Sequence, residues 1–249
     1  MSESDAPRSY DWSLPETWFT PSCECFELYG WPVKERGVPL LHAEQQDTCC
    51  VAWTTVVERV ERAAIEQPEV FDPLAGLTDS QRSEVVTLPA SISRLKGVRV
   101  LSVCCSALSW LPAAIGEMSS LEILDIYQSY RLHYLPFELT RCSLLKDSRI
   151  STRALFGNYK RIAPFPDLLD PSNEANLCFL APKDCSVCGL AIPEELGLAR
   201  WTTRRVGTDW VPLLLVACSV ACVDALSRTV PDGRIHSGGA GSAEWGPRR

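Results

Sequence analysis

Residues 88–110 read LPASISRLKGVRVLSVCCSALSW, and residues 111–134 read LPAAIGEMSSLEILDIYQSYRLHY. A third segment, LPFELTRCSLLKDSRISTRALFGN, occupies 135–158. The segments open on Leu88-Pro89, Leu111-Pro112 and Leu135-Pro136, so the Leu-Pro pair returns after 23 and then 24 residues. In the first, Val98, Leu101, Val103 and Leu108 take the apolar places of an L-x-x-L-x-L-x-x-N-x-L pattern, with Ser106 where Asn is usual. The second repeats it with Leu121, Leu124 and Ile126, and with Ser129 in the Asn place; one inserted residue moves the last apolar position to Leu132. The third keeps Leu145, Ile150 and Leu155 but puts Ser148 at a core position. Ile92 with Leu95, Ile115 with Met118, and Leu139 with Cys142 supply apolar pairs on the return side.

An apolar period of about 20–29 residues with this internal spacing is that of a leucine-rich repeat. Each unit is then a short strand and an irregular return. One unit cannot bury its own apolar face, so neighbours stack. Two good units and a degraded third are close to the minimum that stands alone, and both ends of the stack need covering. Upstream, DTCCVAWTTVVERVERAAIEQ (47–67) reads as a helix capped by Asp47 or Thr48 and ended by Pro68. Its apolar stripe is Trp53, Val56, Val57, Val60 and Ala64. A shorter helix or turn opens at Thr78 or Asp79. The expected organisation is an N-terminal arm (1–46, partly disordered, with a short strand and turn at 23–33), a helical cap (47–86), the repeats (87–158), a Pro-rich extended connector (159–183), a cysteine-bearing module (184–228) and a Gly-rich disordered tail (229–249).

The cysteine module starts at DCSVCG (184–189). Cys185-x-x-Cys188 is half of a metal or redox site, and Cys218 with Cys222 supplies a second pair. The second pair lies at i, i+4 and shares one face of a helix start. Between the pairs, residues 198–217 form two β-rich runs broken at Gly207-Thr208, a hairpin pattern. The order knuckle, hairpin, helix resembles a treble-clef zinc finger. Zinc takes four tetrahedral ligands, thiolates suit it, and four of them leave no open position for catalysis. One structural zinc per chain is therefore expected at Cys185, Cys188, Cys218 and Cys222. The 29-residue gap and the C-x-x-x-C second pair depart from the usual ribbon spacing. A thioredoxin-like redox pair needs a strand–CxxC–helix context, whereas Pro182 and Gly189 flank a turn here.

Charge and composition narrow the function. The formal net charge is -7 and no basic stripe is visible, which counts against nucleic acid and anionic membranes. The first residues lack a positive n-region and an apolar h-region, and no run reaches the length of a membrane span, so a cytoplasmic location is expected. In a reducing compartment the twelve cysteines serve as ligands or small buried hydrophobes. Cys23 and Cys25 with Cys49 and Cys50, near His42, offer a second metal site of no defensible spacing, and packing suits them better. Cys104 and Cys105 offer a reactive thiol; His133 reads as hydrogen-bonded packing beside the repeat insertion. No nucleophile elbow, phosphate loop or HExxH motif is present.

Residues 80–226 together resemble small bacterial leucine-rich-repeat proteins of undefined function with a C-terminal treble-clef module. The resemblance implies an α+β fold: a solenoid of two to three repeats, capped by the N-terminal helix and the zinc module. It also implies a non-enzymatic scaffold whose partner is another protein. The strand residues Arg99, Glu122, Asp125, Tyr127, Gln128 and Arg149 are expected to face outward as the recognition surface. Two alternatives stand beside this reading. One is a thiol-dependent enzyme or redox sensor using the non-zinc cysteines. The other is a nucleic-acid adaptor using Arg200, Arg204 and Arg205.

Overall fold

The structure is a computed structural model that describes Cys23 and residues 39–157, 164–193, 197–229 and 235–239. The expected strand and turn at 23–33, apart from Cys23, and residues 1–22 lie outside the described residues. The fold is mixed α+β, with one parallel sheet and one mixed sheet, neither closed into a barrel.

Helix α1 (Val51–Glu66) buries Ala52, Val56, Val60 and Ala63. The stripe is rotated slightly from the expected one: Trp53, Val57 and Ala64 are only half-buried at its margin. Its cap is Cys50, neither Asp47 nor Thr48. The Cys50 sulfur accepts the Trp53 N–H at 3.4 Å, while the Asp47 carboxylate is turned to the Cys49 N–H at 2.8 Å. Gln67 ends the helix in the left-handed region, with φ 48°, immediately before Pro68. Strand β1 (Val70–Phe71) follows. Helix α2 (Asp79–Ser83) opens on Thr78 and Gln81, which form a reciprocal capping box.

The first sheet is parallel, in the order β1, β2 (Val100–Ser102), β3 (Ile123–Ile126), β5 (Asp147–Ile150). Its register reproduces the sequence period: Val100 lies opposite Ile123, and Ile123 opposite Asp147. After each Leu-Pro pair the chain makes a 3-10 turn, at Ala90–Arg94, Ala113–Glu117 and Phe137–Arg141. Proline's fixed φ and missing N–H suit it to that entry. The turns stack on one another, and α1 packs against the first. Gly116 marks the closest approach, since a Cβ there would lie 2.4 Å from the Glu138 carbonyl oxygen.

The repeated backbone extends to unusual torsions. Cys105 and Gln128, one period apart, both have positive φ, at 55° and 59°. The Cys105 thiol donates to Gln128 Oε1 at 3.1 Å. The next residues, Ser106 and Ser129, sit in the Asn places and share a hydrogen bond of 2.8 Å between hydroxyls that are fully or almost fully buried. Small hydroxyls here satisfy each other along the stack, as buried polar groups must.

Ser148 stands in register with Leu101 and Leu124. Its hydroxyl donates to the Val206 carbonyl at 2.9 Å and accepts the Thr208 N–H at 3.1 Å. Residues 207–208 are the tip of the hairpin formed by β6 (Leu198–Val206) and β7 (Asp209–Ala217). Gly207 has φ +57° and no room for a Cβ against Ser148. The residue that breaks the repeat pattern is thus where the hairpin docks on the last strand. The hairpin pairs with β4 (Leu135–Pro136) in the second sheet, order β4-β7-β6, and helix α4 (Val220–Thr229) follows it. One apolar cluster runs from α1 through the stack to Val211, Leu213, Leu215 and Leu226.

Two expectations are corrected. Part of the segment expected to be an extended connector is helical, with α3 at Glu174–Leu180 behind a 3-10 turn at Pro171–Asn173. Its buried Asn173 accepts the Leu41 N–H at 2.8 Å, so the segment is anchored to the body. Residues 235–239, expected to be disordered tail, are docked: Trp201 and His236 exchange backbone hydrogen bonds of 2.8 and 3.0 Å, because the edge of β6 leaves its peptide groups in need of partners. They border a second apolar cluster built from Leu41, Tyr134, Phe156, Phe165, Leu168, Trp201 and Leu214.

Candidate metal centre

The knuckle at 184–191 is closed by a bridge between Asp184 and Ala191. The Cys185 N–H donates to the Leu190 carbonyl at 2.7 Å, and the Gly189 N–H to the Cys185 carbonyl at 2.9 Å. Gly189 turns the chain with φ +74°, a conformation that costs glycine little. The end of β7 brings Cys218 beside the knuckle. Cys222 follows in the first turn of α4, its N–H bonded to Ser219 Oγ at 3.3 Å.

The four sulfurs of Cys185, Cys188, Cys218 and Cys222 lie within 4.8 Å of one another. Cys188 to Cys218 and Cys218 to Cys222 are both 3.6 Å. Tetrahedral thiolates bound at about 2.3 Å stand roughly 3.8 Å apart, so the donor set is spaced as a group that could hold a metal ion. Backbone amides are already aimed at one sulfur: Cys185 Sγ accepts the N–H groups of Val187, Cys188 and Cys218 at 3.4, 3.5 and 3.3 Å. Burial pushes the Cys185 thiol up, but these amides outweigh it and hold it down at about 6. Hydrogen bonds from Cys188 and Cys222 push Cys218 up to about 12. The cluster therefore resists full ionisation by itself, and these four sulfurs could hold a metal ion whose charge would offset theirs. Cys185 is fully buried against the main core, and Cys218 and Cys222 pack at its edge.

The strand residues expected on the recognition surface are largely engaged with one another. Arg99 makes a bidentate pair with Glu122, at 2.6 and 3.1 Å, and reaches Glu69 at 2.9 Å. Lys146 also binds Glu122. Arg99 and Lys146 together hold the Glu122 carboxyl down at about 2. Asp125 is fully buried, contrary to its expected outward position, because Arg149 on the neighbouring strand grips both its oxygens. Arg149 also lies 5.2 Å from the centre of the Tyr127 ring. Gln128 is buried for the reason given above, its amide oxygen taking the Cys105 thiol.

The other candidates are dispersed. Hydrogen bonding to Cys105 lowers the Cys104 thiol to about 7, yet Cys104 is only 8% exposed. Cys49 is exposed and Cys50 caps α1, so neither joins Cys23. Cys23 instead meets His42 and His133. On β6, Arg200 and Arg204 point to one face and Arg205 to the other, and Arg204 lies over the Phe137 ring. These arginines make no common basic surface. No helix among the described residues is long and apolar enough to cross a membrane.

Comparison of the chain with protein-family models and with curated proteins gives no match.

Proposed function

We propose that this chain is a non-enzymatic protein-interaction module. In this reading strands β2, β3 and β5 with their stacked 3-10 returns are a short leucine-rich-repeat solenoid of two to three units, the N-terminal helical segment caps one end, and a treble-clef unit with one structural zinc closes the C-terminal end. The observation that carries the reading is the register of β2, β3 and β5 in the parallel sheet, where each of these strands meets the next 23 or 24 residues on. Repetition at that interval builds a rigid face of side chains rather than a cleft, and the half-exposed rim of Arg99, Tyr127 and Arg149 is the part of it that another protein would meet. Four thiolates complete a zinc shell and leave the metal a structural role.

The test is a native mass spectrum of the tagged full chain purified gently from its own host. The expected result is one zinc at the four-cysteine site and a protein partner in fixed ratio. Tyr127→Ala should release that partner at least tenfold more readily without altering the melting temperature. A chain that carries no partner, or binds one equally well after Tyr127→Ala, ends the surface assignment. The thiol alternative rests on Cys104; rapid alkylation of that residue in the native protein, with loss of a measurable turnover, would favour it over the scaffold.

A further inference from the structure

We propose that Cys23, His42 and His133 form a second transition-metal site, with one thiolate and two imidazole Nε2 atoms as ligands. The three donor atoms lie within 4.8 Å of one another. Cys23 Sγ is 3.2 Å from His133 Nε2 and 3.6 Å from His42 Nε2. The residues are separated by 19 and 110 positions in sequence, so only the tertiary fold assembles them. The rings meet edge-to-face with centroids 4.7 Å apart.

The outer contacts determine which nitrogen faces the sulfur. His133 Nδ1 is 2.6 Å from the Ala154 carbonyl oxygen. A carbonyl only accepts, so His133 Nδ1 carries the proton and Nε2 presents a lone pair. His42 Nδ1 is 2.8 Å from Glu44 Oε1, so its Nε2 is the nitrogen turned to Cys23. A metal ion placed between them would bind both nitrogens together with the sulfur. Imidazoles whose far nitrogen is tied to a carboxylate or a carbonyl are the usual outer arrangement of metal-bound histidines.

The support continues outward. Glu44 also accepts Arg131 Nη2 at 2.9 Å, and its backbone carbonyl accepts Trp110 Nε1 at 3.0 Å. The Tyr134 hydroxyl donates to the His42 carbonyl at 2.8 Å. These contacts hold the His42 and Glu44 backbone and the Glu44 carboxylate in place. Two of the site's three residues are buried, Cys23 at 4% and His133 at 1% exposure, while His42 is half-buried. His133 lies beside the one-residue insertion of the second unit, so the insertion has a use. Sulfur and imidazole donors select zinc-like ions over magnesium or calcium. The metal would tie Cys23 to the second apolar cluster, where His133 meets the Phe156 ring at 5.1 Å.

The test counts metal on the full chain by native mass spectrometry and elemental analysis. The probe is zinc, followed by cobalt as its spectroscopic substitute. Wild type should hold two ions. Cys23→Ser and His133→Gln should each hold one, as should Cys188→Ser, and Cys188→Ser combined with His133→Gln should hold none. One ion in wild type and none in Cys188→Ser would overturn the second site and leave the four-cysteine site standing. One ion in both would overturn the four-cysteine site and keep this one. Should the variants fail to fold, the wild-type count decides. Cobalt in wild type must then also show a second band set, from a mixed nitrogen–sulfur donor set; a purely four-thiolate spectrum refutes the proposal. Fast alkylation of Cys23 in metal-loaded protein, abolished by His42→Gln, would instead identify a thiolate–imidazole nucleophile and end the metal reading.

Discussion

Leu124 in the parallel stack and Cys185 in the cysteine module are equally inaccessible, both at 0% exposure, yet different interactions hold them. Leu124 is one of a column in which each unit covers the apolar face of the last, so stability is spread over many similar contacts. Cys185 sits in a knuckle, a hairpin and one helix, whose geometry converges on four sulfurs. In the proposed reading the stack shares a loss among neighbours, whereas a bound metal would concentrate the module's stability at a point. The two meet at Ser148, where a repeat position has been given a hydroxyl to receive the hairpin tip.

The largest effect that would break this contrast is at the thiols. Cys185→Ser should remove most of the module's stability, since metal binding at structural thiolate sites supplies about 10 kcal/mol or more. Chelator should then lower the melting temperature, and amides of 198–217 should exchange faster before those of 100–126 do. Undiminished melting in chelator, or the reverse order of exchange, would show that the module is held by packing like the stack. Next in size, Leu124→Ala should cost about 2–5 kcal/mol in denaturant unfolding and speed exchange in both flanking strands; a loss confined to β3 would deny the shared column.

Ser148→Leu restores the repeat pattern and tests the junction. It should nonetheless destabilise by about 1–3 kcal/mol, because the hairpin tip loses its partner and Gly207 has no space to yield. A gain in stability would make Ser148 a mere blemish in the repeat.

The smallest effect is at Glu138, which is 3% exposed with Oε1 unpartnered among the described residues. Burial pushes its carboxyl up, against hydrogen bonding from Ser186 and the charge of Arg141. The folded protein thus holds this proton to higher pH than the unfolded chain, and stability falls as pH rises from the ordinary carboxylate range through the folded value. Glu138→Gln should stabilise the protein at neutral pH, with the gain vanishing at and below about pH 4. Parallel pH profiles for the two proteins would refute it.

Much of this was legible from local pattern. The Leu-Pro spacing, the helix before Pro68 and the hairpin around Gly207-Thr208 are written in neighbouring residues. So is the pairing of two short cysteine motifs around that hairpin. Helix α3 was obscured by four prolines, although Pro171 lies at the first helical turn, where its fixed φ is harmless. The outward expectation for Asp125 failed because strand alternation describes faces, not partners. A buried carboxylate is tolerated where a guanidinium from the next strand meets it.

By itself the sequence determined the period, the apolar positions that must face inward, and the two thiol pairs, because these depend on spacings of a few residues. The tertiary structure alone decided why Ser148 interrupts the pattern, which charges neutralise one another across the strands, and that His133 faces Cys23. Those depend on pairings 23 to 110 residues apart, and no local rule of spacing carries information over such a distance until the chain has folded.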